Sequence, residues 1–160
     1  ILQHLDEVEQ SGVQVIWPTG ECYKASIMEA LAQHKALPML KVTDFISDMG
    51  AAYAAADLVI SRAGASSISE FCLIGKPVIL VPSPNVAEDH QTKNALALVN
   101  KDAAVYVKDA DAAGTLLKTA LDIVNNDTKL QSLRENILKL GLKNSANTIA
   151  DEVIRLAKGK

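Results

Sequence analysis

The residues best suited to bind a phosphorylated ligand lie in residues 61–70. A Val- and Ile-rich run leads into a turn of small residues, which includes Gly64 and Ala65, and then into a segment of helical pattern. A helix N-terminus offers unpaired backbone N–H groups and a partial positive charge, and small residues let a diphosphate approach them closely. Ser66 and Ser67 add hydroxyl donors. The segment therefore predicts a phosphate site.

The spacing of Ser67 and Glu70 has two interpretations. In a capping box, Ser67 would cap the helix and the carboxylate of Glu70 would reach back to the backbone N–H of Ser67. In a ligand site, Glu70 would suit a ribose, because an ionised carboxylate can accept hydrogen bonds from both vicinal hydroxyls. The residues alone leave both interpretations open.

A second polar group follows the next apolar run, again at the start of a helical segment. Gln91 and Asn94 share a helix face, and their amides both donate and accept hydrogen bonds, as sugar hydroxyls require. The simpler interpretations are that Asp89 is only an N-cap, His90 a solvated loop histidine and Lys93 a solvent-facing charge. No nearby third group completes a Ser-His-Asp or Cys-His arrangement.

A third candidate segment is the loop of residues 41–49, between a predicted strand and a predicted helix. Phe45, Ile46 and Met49 could flank a flat base while backbone N–H and C=O groups read its edge. Ordinary core packing of Phe45 and Met49 is the competing interpretation.

Parallel strands joined by helices would position all three segments. Short apolar runs alternate with longer stretches of helical period, which is typical of an α/β fold. The predicted strands are residues 13–17, 38–42, 58–61, 78–81 and 104–107. The predicted helices are residues 1–10, 21–34, 49–56, 67–74 and 89–100. Open α/β sheets bind ligands at the carboxyl ends of their strands, which is where the three segments fall.

Residues 109–158 contain no further strand pattern and predict two or three helices. The last helix has an apolar stripe at steps of three and four residues, formed by Ala146, Ile149, Ala150, Val153 and Leu156. Packing on the protein's own sheet is the favoured interpretation of this stripe. Docking against a partner domain is the alternative.

Composition excludes several functions. The chain has 160 residues, of which 49% are hydrophobic, and this suits one globular domain. A net charge of −3 without a basic cluster argues against a nucleic-acid partner. Two distant cysteines without Cys-x-x-Cys spacing, and only three histidines to join them, favour a reduced, cytoplasmic protein without structural metal. The longest apolar run, residues 49–60, contains Asp57 and is shorter than the roughly 18–20 residues of a membrane span.

Together these segments resemble the C-terminal domain of the MurG family of glycosyltransferases. The matching motifs are residues 15–20, 42–49, 51–57, 61–70, 75–77 and 89–95. The resemblance implies a Rossmann-like parallel sheet, the C-terminal half of a GT-B glycosyltransferase, with residues 1–160 as one UDP-sugar-binding domain. It also implies a parent enzyme, peripheral on the cytoplasmic face of the inner membrane. That enzyme would transfer N-acetylglucosamine from UDP-N-acetylglucosamine to lipid I, which gives lipid II for peptidoglycan in the cell wall.

The resemblance assigns ligand contacts from base to sugar, without a metal or other cofactor. Uracil would bind the backbone of Ile46, with Phe45 and Met49 beside it, and Glu70 would hold the ribose hydroxyls. The diphosphate would lie at one helix start and contact Ala65, Ser66 and Ser67, with His90 near the same region. The sugar hydroxyls would lie at the next helix start and contact Gln91 and Asn94.

Two departures from the family pattern limit these expectations. The family's first strand of this half, with its Gly- and Ser-rich phosphate loop, would lie just before Ile1. Its loss would leave a gap or an unpaired edge in a doubly wound sheet. The N-terminal half, with the lipid I site and the catalytic base, is also outside this sequence, so we expect no transfer by this chain alone. The alternatives are a UDP-sugar epimerase of the same architecture and a non-catalytic nucleotide-binding module.

Overall fold

The computed structural model describes residues 1–159 as parallel strands that alternate with helices. The strands are β1 (Val15–Pro18), β2 (Leu40–Thr43), β3 (Val59–Ser61), β4 (Val78–Leu80) and β5 (Val105–Tyr106). The helices are α1 (Leu5–Ser11), α2 (Glu21–Ala32), α3 (Met49–Ala55), α4 (Ala65–Ile74), α5 (His90–Val99), α6 (Asp109–Val124), α7 (Asp127–Leu138) and α8 (Ser145–Lys158). Short 3-10 turns, Leu2–His4 and Ala87–Asp89, precede α1 and α5.

The predicted α/β class and element order are confirmed. Each predicted strand is present, and none of its ends is displaced by more than two residues. Three helices fill the C-terminal third, at the upper end of the predicted two or three. The pattern of apolar runs was sufficient here because parallel strands covered by helices on both faces are apolar almost throughout.

The strands form two separate parallel sheets. β1 pairs with β2, and β4 lies between β3 and β5. The backbone N–H groups of Val15 and Val59 donate to Met39 O and Pro77 O, directly before β2 and β4. The alternate residues Ile16 and Ile60 therefore point their backbone groups to the opposite edge. The side chains of Ile16 and Ile60 are 47% and 44% exposed. Within the described residues, β1 and β3 thus each have the unpaired edge that was expected.

The main core lies on both faces of β4, whose residues are fully buried. Val78 and Leu80 face a cluster that contains Phe71 of α4. Ile79, between them, faces a second cluster on the other side of the sheet, which contains Leu133 of α7. Alternate side chains of a strand point to opposite faces, so one short strand joins both layers of helices.

The sheet of β1 and β2 has a much smaller core. Outside the two clusters beside β4, Leu5 and Val8 in α1 and Ile27 in α2 are buried. The strands themselves are half-buried to exposed. Less apolar surface is therefore removed from water in this part of the protein than around β4.

The prediction that the C-terminal stripe packs on the protein's own sheet is wrong. Every described residue of α8 is exposed, and Ile149, Val153 and Leu156 are 64%, 59% and 59% exposed. Periodicity shows which face of a helix is apolar but does not show what covers it.

Across residues 1–159, each helix is too short or too polar to cross a bilayer.

We predict that Gly75→Ala lowers the free energy of unfolding by about 2–3 kcal/mol. Gly75 ends α4 with a φ of 68°, and a Cβ at this position would lie 2.5 Å from Cγ of Leu138. Both the left-handed backbone and the steric overlap oppose a side chain. Chemical denaturation of the purified protein measures the change.

The matched control is Gly114→Ala in α6, where a Cβ would meet open space among the described residues. Alanine should there raise the stability by about 0.5–1 kcal/mol. Equal effects of the two substitutions would contradict the geometry at Gly75.

Candidate functional site

The three polar segments lie where the chain leaves a strand and enters a helix. The loop after β2 leads into α3, the turn after β3 leads into α4, and the loop after β4 leads into α5. Because all strands within each sheet are parallel, these connections lie at the carboxyl ends.

The turn after β3 opens α4 two residues earlier than predicted. Ala65 is the first helical residue and Gly64 is the N-cap, with no side-chain hydrogen bond to the cap. The N–H of Ile68 donates to Gly64 O, so the N–H groups of Ala65, Ser66 and Ser67 have no partner within the helix. Ala65 and Ser66 are exposed and Ser67 is half-buried. The exposed, uncapped helix start that the phosphate-site prediction requires is therefore present.

The capping-box interpretation of Ser67 and Glu70 is wrong. Ser67 lies inside the first turn of α4, so it cannot be the N-cap. The carboxylate of Glu70 accepts a hydrogen bond from the hydroxyl of Tyr53 at 3.1 Å. Glu70 is exposed and its second oxygen remains able to accept further hydrogen bonds.

The amides of Gln91 and Asn94 hold the turn before α4 in place. Oε1 of Gln91 accepts from the backbone N–H of Ala63 at 3.2 Å and from that of Ser83 at 2.9 Å. Nδ2 of Asn94 donates to Ala63 O at 3.2 Å. These partners fix which amide atom is oxygen and which is nitrogen. The NH₂ group of Gln91 and Oδ1 of Asn94 are the amide atoms left to contact a ligand.

The start of α5 has unusual backbone geometry. Glu88 and Asp89 have φ values of 52° and 51°, in the left-handed region. Asp89 occupies the N-cap position, but its carboxylate accepts from the hydroxyl of Thr92 at 2.6 Å and not from a backbone N–H. His90 was interpreted as a solvated loop residue, but it is the exposed first residue of the helix. Lys93 is exposed, in agreement with its interpretation as a solvent-facing charge.

The loop between β2 and α3 is held at both ends. The Thr43 hydroxyl donates to Phe45 O at 2.9 Å. Lys24 pairs with Asp44 at 2.9 Å, and this hydrogen bond holds the pKa of the Asp44 carboxyl below its usual value. At the other end, Asp48 caps α3 by accepting from the N–H of Ala51 at 2.8 Å. Residues in the middle of the loop are thereby restrained on a mostly exposed surface.

The competing core-packing interpretation of Phe45 and Met49 is wrong. Their side chains are 77% and 42% exposed, and Ile46 is half-buried. Exposed apolar side chains on a restrained loop are available to cover a flat, apolar ligand group.

Sequence reasoning missed the roles of Arg62 and Tyr53. The guanidinium of Arg62 donates to Val81 O at 3.1 Å, to Pro82 O at 3.3 Å and to the carboxylate of Asp109. It therefore joins the ends of β3 and β4 to the start of α6. Tyr53 joins α3 to α4 through Glu70. The one available signal was a single tyrosine in the alanine-rich run of residues 51–56.

Within residues 1–159, no three His, Cys, Asp or Glu side chains cluster closely enough to hold a metal ion.

Comparison with known proteins gives concordant matches. Residues 1–153 match the model of the glycosyltransferase family 28 C-terminal domain. A protein of Phocaeicola vulgatus is 62% identical over 157 residues, which are 98% of this chain and 42% of that protein. A protein of Bacteroides fragilis is 66% identical over 146 residues, which are 91% of this chain and 38% of that protein. Both are named UDP-N-acetylglucosamine--N-acetylmuramyl-(pentapeptide) pyrophosphoryl-undecaprenol N-acetylglucosamine transferase.

A solved structure shows the same fold. The crystal structure of Acinetobacter baumannii MurG superposes with a TM-score of 0.78 at 24% identity, over 95% of this chain and 48% of that one. The chain thus spans about two-fifths of the length of the curated relatives it matches.

We predict that Gln91→Ala lowers the free energy of unfolding by about 1–3 kcal/mol, because two backbone N–H groups lose their acceptor. Gln91→Glu retains the accepting oxygens and should keep most of the stability. Lys93→Ala, a change of an exposed side chain on the same helix, is the control. Chemical denaturation compares the three variants. Loss of equal stability in the alanine and glutamate variants would contradict this role of Oε1.

Proposed function

The chain belongs to the glycosyltransferase family 28 C-terminal domain family, and from this we propose that it binds the donor UDP-N-acetylglucosamine. The whole protein would transfer N-acetylglucosamine from this donor to lipid I in peptidoglycan synthesis. The names of relatives that are 62% and 66% identical support the transferase over a UDP-sugar epimerase of the same architecture.

One observation carries the proposal: hydrogen bonds join the three candidate segments into one continuous surface. Tyr53 of α3 donates to Glu70 of α4, so the helix that follows the base loop contacts the phosphate helix. Gln91 of α5 accepts from Ala63, so the turn before α4 contacts the helix that carries the sugar-binding amides. A ligand with a base, a ribose, a diphosphate and a sugar has the order of groups that this surface requires.

Each group of the donor has a proposed partner. Uracil lies on the base loop and the ribose at Glu70, where two hydroxyls meet one carboxylate. The unpaired N–H groups at the start of α4 receive the diphosphate. The full set of ligand contacts is Phe45, Ile46 and Met49 at the base, Glu70 at the ribose, Ala65, Ser66, Ser67 and His90 at the diphosphate, and Gln91 and Asn94 at the sugar.

The proposed contribution of this domain to catalysis is electrostatic. Direct displacement at the anomeric carbon leaves negative charge on the diphosphate of UDP. The N-terminus of α4 presents N–H groups and a partial positive charge to that group, and its serine hydroxyls add donors. The base that deprotonates the lipid I hydroxyl would come from another part of the whole protein, which would act at the cytoplasmic face of the membrane.

We predict that Glu70→Ala weakens binding of UDP-N-acetylglucosamine, UDP-glucose and UDP by at least about tenfold, because the ribose loses a charged acceptor. Isothermal titration calorimetry measures each dissociation constant. Glu135→Ala removes the same charge from the exposed surface of α7 and should leave them unchanged. Absence of binding to the unchanged protein, or equal binding by the Glu70 variant, would refute the donor site.

A second expected outcome is that the 160-residue chain binds the donor without transferring its sugar to lipid I. The proposed acceptor site and base belong to the part of the relatives that this chain does not match. A radiolabelled-sugar transfer assay with lipid I measures turnover. Robust formation of lipid II by this chain would overturn the proposed division of roles.

A further inference from the structure

We propose that Tyr53 is a positioning residue for the nucleotide. Its hydroxyl would hold one oxygen of the Glu70 carboxylate so that the other oxygen faces the ribose. This inference rests on the function proposed above, because Glu70 is the ribose ligand there.

The hydrogen bond between these residues uses half of the carboxylate. The Tyr53 hydroxyl donates to Oε2 of Glu70 at 3.1 Å, and Oε1 stays available. Glu70 itself is an exposed side chain with three rotatable bonds, so restraining it costs conformational entropy. A hydrogen bond formed before the ligand arrives removes part of that cost from binding.

The position of the Tyr53 hydroxyl is set by the core of the protein. The phenol ring packs edge-on against the ring of Phe71, with centroids 5.7 Å apart and planes at 81°. Phe71 is 1% exposed and belongs to the cluster beside β4. Tyr53 is half-buried. Its ring packs against the core, while its hydroxyl lies at the surface beside Glu70. A side chain restrained in this way can orient a mobile neighbour.

The same helix also connects Glu70 to the base loop. Tyr53 lies four residues after Met49, on the same face of α3. Asp48, two residues after Ile46, caps the start of this helix. The end of the base loop and the hydroxyl that contacts the ribose carboxylate are therefore held by the same short helix. One helix thereby couples the base contacts to the ribose contact.

The phenol remains a hydrogen-bond donor at neutral pH. Burial raises the pKa of Tyr53, and the hydrogen bond to Glu70 raises this pKa further. A tyrosine whose pKa lies above its usual value keeps a neutral hydroxyl at neutral pH, so the phenol can donate there.

The decisive variant is Tyr53→Phe, which keeps the ring against Phe71 and removes the hydroxyl. Its affinity for UDP should fall about three- to tenfold, because Glu70 can still receive the ribose hydroxyls but must be ordered when the ligand binds. Its affinity for 2′,3′-dideoxy-UDP should stay unchanged, because that nucleotide lacks the hydroxyls that Glu70 receives. Calorimetric titration measures both ligands, and chemical denaturation of the free protein measures stability.

A double-mutant cycle and a matched control complete the experiment. In a Glu70→Ala background, Tyr53→Phe should cause no further loss of UDP affinity, because the carboxylate it positions is gone. Tyr23→Phe removes the same hydroxyl from a side chain that is 68% exposed on α2, and should leave UDP affinity unchanged.

The outcomes separate this inference from the proposed function. If Glu70→Ala weakens UDP binding but Tyr53→Phe does not, the positioning role is refuted and the donor site stands. If Tyr53→Phe weakens UDP and dideoxy-UDP equally, Tyr53 is merely structural and the inference is again refuted. If Glu70→Ala has no effect on UDP, both proposals fail.

Discussion

Two backbone N–H groups from different loops, those of Ala63 and Ser83, donate to one side-chain oxygen, Oε1 of Gln91. This contact holds the turn before α4 and the loop after β4 against the start of α5. The unpaired N–H groups of α4 and the free amide atoms of α5 consequently border the same region. This part of the proposed donor site depends on that contact, because a helix proposed to receive the diphosphate and a helix proposed to hold the sugar are useful only at a fixed separation.

Local sequence patterns were sufficient where one physical effect dominated. The apolar run of β4 predicts a strand because it is buried on both faces, and the small residues at Gly64 and Ala65 predict an open helix start. The capping box failed because Gly64 and Ala65 can begin a helix without a side-chain cap, which places Ser67 within it. The partners of α8 could not be predicted, since its periodicity is the same whether its stripe is covered or exposed.

The residues missed by sequence reasoning are those whose partners lie far along the chain. Arg62 contacts the backbone just after β4 and the side chain of Asp109 in α6. Tyr53 of α3 contacts Glu70 of α4. No periodicity links such positions, because their proximity is created by the packing of helices against strands. Gln91 is a different case, because the sequence predicted it but only as a ligand contact. In the structure its side chain also stabilises two loops, since Oε1 accepts from the N–H groups of Ala63 and Ser83.

The unequal cores of the two sheets have a dynamic consequence. β4 is buried on both faces, whereas the residues of β1 and β2 are half-buried to exposed. Local opening, as seen by amide hydrogen exchange, costs least where few apolar contacts are broken. The loop after β2 belongs to the weaker part, while α4 is anchored in the stronger one. A nucleotide that contacts both would suppress that opening in proportion to its occupancy, so exchange rates near β2 would report on the bound fraction.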